Sequence, residues 1–222
     1  MRTVAVLPVK SFPRAKQRLG AAVGGGDRRE LAAAMVRDVL AALTAVPELD
    51  GVLVVTAEPL AAAAAGDAGA VVVDDPEEAG QSAATLLGID AAVARGAERV
   101  LLVPGDCPAL VPAEVSGLLA RDDPAPSVVI VPDRHGSGTN ALLLTPPGVI
   151  GPSFGAGSFA RHAAQARAAG ATVKVAALPS LGLDVDTPDD LAALRAALEQ
   201  GGRDGYATRT RAVLDRLVHA AV

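Results

Sequence analysis

Short runs dense in Val and Leu recur along the chain, and longer stretches with Ala and Leu spaced three and four apart separate them. A short β-branched run suits a strand buried on both faces, and the three-four spacing suits a helix with one apolar side. The pattern predicts strands at Thr3–Val9, Gly51–Thr56, Ala70–Val73, Arg99–Val103, Ser127–Val131, Thr139–Leu144 and Thr172–Ala177, with a short one at Leu183–Val185. Helices are predicted at Arg28–Ala45, Glu58–Ala65, Ser82–Arg95, Pro112–Ala120, Phe159–Ala169, Pro188–Glu199 and Thr208–Ala220. Strands alternating with crossover helices make an α/β fold with a mainly parallel sheet. Residues 1–199 read as one domain. Residues 200–222 read as a linker, Gln200–Gly205 with three glycines, and a last helix that packs on the same domain or on a second copy as a homodimer contact.

Composition narrows the function. The chain has 222 residues, half of them hydrophobic, enough to bury a full core. The formal net charge is −5 and the basic residues are scattered, so no electrostatic footprint for nucleic acid exists. A single cysteine, Cys107, excludes an internal disulfide, and no paired Cys or His spacing of the zinc kind occurs. Both facts fit a reducing cytoplasm. The apolar run Val4–Leu7 is too short for a signal peptide core or a membrane span, so export and membrane insertion are not expected. The phosphate-loop pattern G-x-x-x-x-G-K-[ST] and a G-x-G-x-x-G after the first strand are both missing, which disfavours an ordinary ATPase or dehydrogenase.

In an open α/β sheet, ligands sit beyond the carboxyl ends of the strands, where loops meet helix N-termini. Asp106 follows the fourth strand in Pro104-Gly105-Asp106-Cys107-Pro108, placed either to ligate a metal or simply to cap a turn. Leu183-Asp184-Val185-Asp186, if extended, turns both carboxylates to one side and Val185 to the core. With Asp106 they suit a Mg²⁺ ion held jointly with phosphate oxygens, although Thr187 and Pro188 also read as an ordinary helix start. Lys10, Arg14, Lys16 and Arg18 put four cations in the loop after the first strand, beside Pro8, suited to a polyphosphate or else a solvated basic loop. Gly80-Gln81-Ser82 opens a helix where a base edge or a phosphate could meet free N–H groups. Asp133–Asn140, carrying Thr139 and Asn140, and Ser153–Phe159, carrying Gly155 and Ser158, are anion-cradle candidates, or two ordinary turns. His135, His162 and His219 lack partners at metal spacing and read as surface or supporting residues; Cys107 has no evident base and reads as inert.

Taken in order, Leu7-Pro8-Val9-Lys10 with Ala15-Lys16-Gln17-Arg18-Leu19, Gly105-Asp106-Cys107-Pro108, Gly138-Thr139-Asn140-Ala141-Leu142, Phe154-Gly155-Ala156-Gly157-Ser158-Phe159 with His162, and Asp184-Val185-Asp186-Thr187-Pro188 resemble one family. It is the 2-phospho-L-lactate / phosphoenolpyruvate guanylyltransferase family of deazaflavin (F420) coenzyme biosynthesis, and the resemblance runs from about Thr3 to Leu194. It implies a three-layer α/β/α sandwich with a mostly parallel mixed sheet, like nucleotide-diphospho-sugar transferases and molybdenum-cofactor guanylyltransferases. It further implies that Asp106, Asp184 and Asp186 bind Mg²⁺, that Lys16 contacts the GTP phosphates, and that Thr139, Gly155 and Ser158 hold the acceptor acid. Pro8, Lys10, Gly80, Ser82 and Asp106 complete the expected nucleotide site, and Asn140 the acceptor site. Gly80-Gln81-Ser82-Ala83-Ala84 departs from the Gly-Leu-Asn type of sequence in some relatives, which leaves the preference for guanine unexplained.

The expected reaction joins the GMP part of GTP to phosphoenolpyruvate, releasing pyrophosphate and giving enolpyruvoyl-2-diphospho-5'-guanosine. 2-Phospho-L-lactate and 3-phosphoglycerate are alternative acceptors, since small substrate differences discriminate weakly. Bacterial members of the family favour phosphoenolpyruvate, and the Ala-rich composition looks bacterial. A metal-dependent glycosyltransferase and a nucleotide-binding module without activity are the readings from other classes.

Overall fold

In the computed structural model, residues 1–20, 23–121, 123–199 and 206–219 are described, apart from the side chains of residues 14, 218 and 219. The predicted linker Gln200–Gly205 lies outside the described residues. Seven strands, β1 (Thr3–Pro8), β2 (Gly51–Thr56), β3 (Val71–Asp74), β4 (Arg99–Leu102), β5 (Ser127–Pro132), β6 (Thr139–Thr145) and β7 (Thr172–Val175), form one sheet in the order β3-β2-β1-β4-β6-β5-β7. Only β6 runs against its neighbours, because a turn over Asp133–Gly138 returns the chain beside β5, whereas helices carry most other connections. The helices are α1 (Gly25–Thr44), α2 (Pro59–Asp67), α3 (Gln81–Ala94), α4 (Pro112–Leu119), α5 (Ser158–Ala168), α6 (Pro188–Glu199) and α7 (Thr208–His219).

The strands are apolar on both faces, and each face has its own core. Ala5, Leu7, Val54, Leu101 and Leu143 pack under α1, α2 and α4, while Val6, Val55, Leu102, Ile130 and Leu144 pack under α3 and α5. This is the expected three-layer sandwich. α1 is apolar on its far side too, where Leu31 and Met35 meet Leu194 of α6 and Leu214 of α7. α7 thus packs on its own chain, and the buried Asp38 of α1 accepts N–H groups from Arg209 at 3.3 Å and Thr210 at 2.8 Å at the α7 N-terminus.

The helix and strand boundaries agree with the sequence pattern to within about three residues, with one correction. Leu183–Val185 is not a strand. Val185 is fully buried and its N–H donates to the Asp106 carbonyl at 3.1 Å, so the alternation of buried and half-buried positions is real, but among the described residues no strand pairs with it in a ladder. α6 begins as predicted: Thr187 Oγ1 accepts from Asp190 N at 3.3 Å, and Asp190 Oδ2 accepts in return from Thr187 N at 2.8 Å, a reciprocal cap.

Candidate active site

The carboxyl ends of β1 and β4 lie side by side, and the loops leaving them deliver the charged residues. After β1 the chain makes two short 3₁₀ turns, Phe12–Arg14 and Gln17–Leu19. Between them Lys16 adopts a left-handed backbone, φ 56° and ψ 33°, an uncommon conformation for a residue with a side chain. It turns the buried ammonium group toward the acids: Nζ donates to Asp106 Oδ2 at 2.6 Å and to Asp186 Oδ1 at 3.0 Å. Burial works against the charged amine, yet Asp106 and Asp186 outweigh it and hold Lys16 above the usual lysine range. Asp186 is only partly buried, its side chain 45% exposed; that burial raises its carboxyl, but Lys16, with help from Lys10 and Arg18, outweighs it and keeps the group below the ordinary range.

Asp184 behaves oppositely. Burial and the nearby Asp106 push its carboxyl up, despite a 3.1 Å hydrogen bond from Asn140 Nδ2. Asp106 Oδ1 is buried and, among the described residues, has no hydrogen-bond partner. Lys16 pairs directly with Asp106 and Asp186 but not with Asp184, and an orphaned carboxylate oxygen beside a destabilised acid is the donor chemistry a hard dication takes. Among the described residues no three acid, His or Cys side chains converge as a ready-made cage. A Mg²⁺ ion held here would therefore need phosphate oxygens to complete its shell, which is how that ion commonly binds.

A cavity of about 220 Å³ opens beside this cluster. Pro8, Lys10 and Lys16 line it from the first loop, Asp106 from the β4 loop, Gly80 from the start of α3, and Met35 and Val36 from α1. The predicted nucleotide residues are thus brought together, with one exception. Ser82 does not line the cavity; its Oγ accepts from the Phe154 N–H at 3.1 Å and ties α3 to the loop before α5.

The predicted acceptor residues meet around a bulge in β6. The register with β5 shifts between Val131 and Pro132, which pair with Ala141 and Thr139, so Asn140 is the extra residue. Asn140 turns toward Asp184 and the Leu181 carbonyl, at 2.8 Å, and acts on the acids rather than standing open for a ligand. Thr139 goes to the other face, where its Oγ1 lies 3.0 Å from Nδ1 of the fully buried His162. His162 Nε2 accepts the Ser153 N–H at 2.9 Å, so the ring proton sits on Nδ1 and is donated to Thr139. The Thr139 hydroxyl hydrogen is then left to point at another acceptor. Gly155 at φ 102° and Gly157 at φ 70° let the chain turn into α5, conformations a Cβ would strain, and Ser158 is buried at the helix start. Cys107 is buried and its thiol is pushed far above the ordinary range, first by burial and then by Asp106 and Asp184, so it is inert as expected.

Sequence reasoning missed three acids. Glu58 caps α2 and accepts the Phe12 N–H at 2.9 Å; Glu78 Oε1 accepts the Ser11 N–H at 2.8 Å and the Ser11 hydroxyl; Asp75 and Glu78 both line the cavity. Their signal was position: Glu58 and Asp75 follow the carboxyl ends of β2 and β3.

A cavity beside a Lys–Asp cluster at the carboxyl edge of a mixed sheet fits a nucleotidyltransferase, and solved structures agree on the fold. A candidate nucleotide-diphospho-sugar transferase from Desulfovibrio desulfuricans superposes with a TM-score of 0.77 at 20% identity, covering 99% of this chain and 98% of that one. A nucleotidyl transferase from Methanothermobacter thermautotrophicus gives 0.63 at 18% identity, covering 88% and 97%. The profile of the guanylyl transferase CofC-like family matches residues 3–207, and the chain belongs to that family. A phosphoenolpyruvate guanylyltransferase from Conexibacter woesei is 50% identical over 219 residues, 98% of this chain and 97% of the relative. Another, from Sphaerobacter thermophilus, is 40% identical over 191 residues, 86% and 91% respectively.

Proposed function

We propose that the protein transfers GMP from GTP to phosphoenolpyruvate, releasing pyrophosphate, as a soluble cytoplasmic step of deazaflavin coenzyme synthesis. The acceptor follows the names of the relatives, and the observation that carries the chemistry is Lys16 held between Asp106 and Asp186 beside the cavity. An oxygen of the acceptor phosphate attacks the α-phosphorus of GTP in line, forming the new P–O bond as the bond to the β-phosphate bridging oxygen breaks. That phosphate is already largely ionised at neutral pH, so no general base is needed. Lys16, assisted by Lys10 and Arg18, faces the charge that develops on the departing pyrophosphate. Thr139, Gly155 and Ser158 hold the acceptor, and His162 keeps the Thr139 hydroxyl hydrogen directed at it. Asp106 and Asp184, with Asp186 at their side, would hold Mg²⁺, which neutralises phosphate charge when bound.

Pyrophosphate release from purified protein with GTP and Mg²⁺ tests this reading against phosphoenolpyruvate, 2-phospho-L-lactate, 3-phosphoglycerate and no acceptor. Release that requires phosphoenolpyruvate is expected. Release with 2-phospho-L-lactate alone changes the acceptor, and silence with all three in folded protein removes the reading.

A further inference from the structure

Two carboxylates reach the cavity from the connection between β3 and α3, and they differ in what they already hold. Glu78 accepts both the N–H and the hydroxyl of Ser11, so it is committed to fastening the first loop. Asp75 is only 5% exposed and lines the cavity, and among the described residues nothing hydrogen-bonds its side chain. A carboxylate taken from bulk water without a donor is unfavourable, so a ligand that supplies donors is bound strongly there.

The placement suits a nucleobase. Asp75 follows β3 at the carboxyl edge, and β2 and β1 separate it from β4, which delivers Asp106. Three strand spacings are about 14 Å, a span that an extended nucleotide covers from its phosphates to the far edge of its base. Between the two ends the walls are apolar: Val9, Met35, Val36 and Ala84 offer the surface a flat ring needs.

We propose that Asp75 reads guanine by accepting its N1–H and its N2 amino hydrogen. An ionised carboxylate only accepts, and it offers two oxygens side by side. Guanine presents two adjacent donors on its pairing edge. Adenine and cytosine each present one amino donor beside a ring-nitrogen acceptor, and uracil presents one N–H between two carbonyls, so each would face Asp75 with a repelling lone pair. The leading N–H groups of α3, which have no partner inside the helix, stand at the same cavity and suit guanine O6. This assignment rests on the GTP reading above and names the residue that selects the base, independently of the Gly80-Gln81-Ser82 sequence.

Inosine triphosphate lacks only the N2 amino group, which makes it the discriminating probe. Pyrophosphate release is measured with GTP, inosine triphosphate and ATP for the wild type, Asp75→Asn and Asp75→Ala. Circular dichroism checks folding, and calorimetry follows nucleotide binding without an acceptor. The wild type is expected to prefer GTP over inosine triphosphate by at least about tenfold in kcat/KM, and Asp75→Ala to bring the two within about twofold, mainly through KM. If Asp75→Ala does not fold, the nearly isosteric Asp75→Asn carries the test. Undiminished preference for GTP in a folded variant overturns the assignment. Absence of pyrophosphate release with every nucleotide removes the guanylyltransferase reading instead, and the calorimetric preference of wild type and variant still decides the role of Asp75.

Discussion

Lys16 and Asp184 occupy one cluster under opposite electrostatic conditions. The left-handed backbone at Lys16 costs about 1–2 kcal/mol, and it accompanies the two ion pairs of Nζ with Asp106 and Asp186. Among the described residues Asp184 makes no ion pair, and burial, together with Asp106, disfavours its charge. Neutralising it should therefore relieve the fold and damage the chemistry. Asp184→Asn is expected to raise the melting temperature of metal-free protein, by about 0.5–1 kcal/mol of stability, while reducing turnover by roughly 10²-fold or more. Thermal melts in a chelator and pyrophosphate release in Mg²⁺ check the two halves; a variant that turns over normally would remove Asp184 from the catalytic group. At this scale the sequence was legible for Lys16, Asp106, Asp184 and Asp186 as neighbours in one cluster, because charged residues set in loops among apolar strands stand out. It named Asn140 and His162 but not the groups they hold, Asp184 and Thr139, which lie 44 and 23 positions away along the chain.

Elements turn those residues toward one another. The bulge in β6 decides which face of the sheet each of Thr139 and Asn140 takes, Thr139 toward His162 and Asn140 toward the acids; a regular strand paired in register would exchange them. α3 lies close on the sheet because Gly88 has no side chain: a Cβ there would stand 2.2 Å from Val6 Cγ1. His162 of α5 couples β6 to the loop at Ser153 and must be neutral to do so, since Nε2 accepts a backbone N–H. Burial first, and Arg161 second, lower its pKa to about 4. The unfolded chain takes up this proton below about pH 6.5 and the folded protein does not, so the stability is full above that pH and is lost as pH falls toward 4. The loss attributable to His162 is on the order of 2–3 kcal/mol. Chemical denaturation at pH 7 and pH 4.5 is expected to show a smaller loss in His162→Gln, which keeps the acceptor for Ser153; equal losses would deny the role.

For the whole molecule, α1 is the shared wall. One side seals the sheet, the other packs on α6 and α7, and Met35 and Val36 line the cavity beside Lys16. Asp38 fixes α7 on α1 by accepting its first N–H groups, a contact between helices about 170 residues apart that stands in for an N-cap. Asp38→Ala is expected to lower stability by about 1–2 kcal/mol while leaving turnover at room temperature close to wild type. Melting temperature and steady-state rates measured together check it; an unchanged melting temperature would show that α7 is held by its apolar face alone. The sequence by itself determined the alternation of strands and helices, their limits within a few residues, the N-cap of α6 and the acids at the strand ends, because each follows from periodicity or from position along one segment. Tertiary structure alone decided that Leu183–Val185 finds no partner strand among the described residues, that Ser82 ties α3 to the loop before α5, that Glu58 and Glu78 fasten the first loop, and that Asp75 faces the cavity. Those outcomes depend on which distant groups share a space, and local propensity carries no information about that.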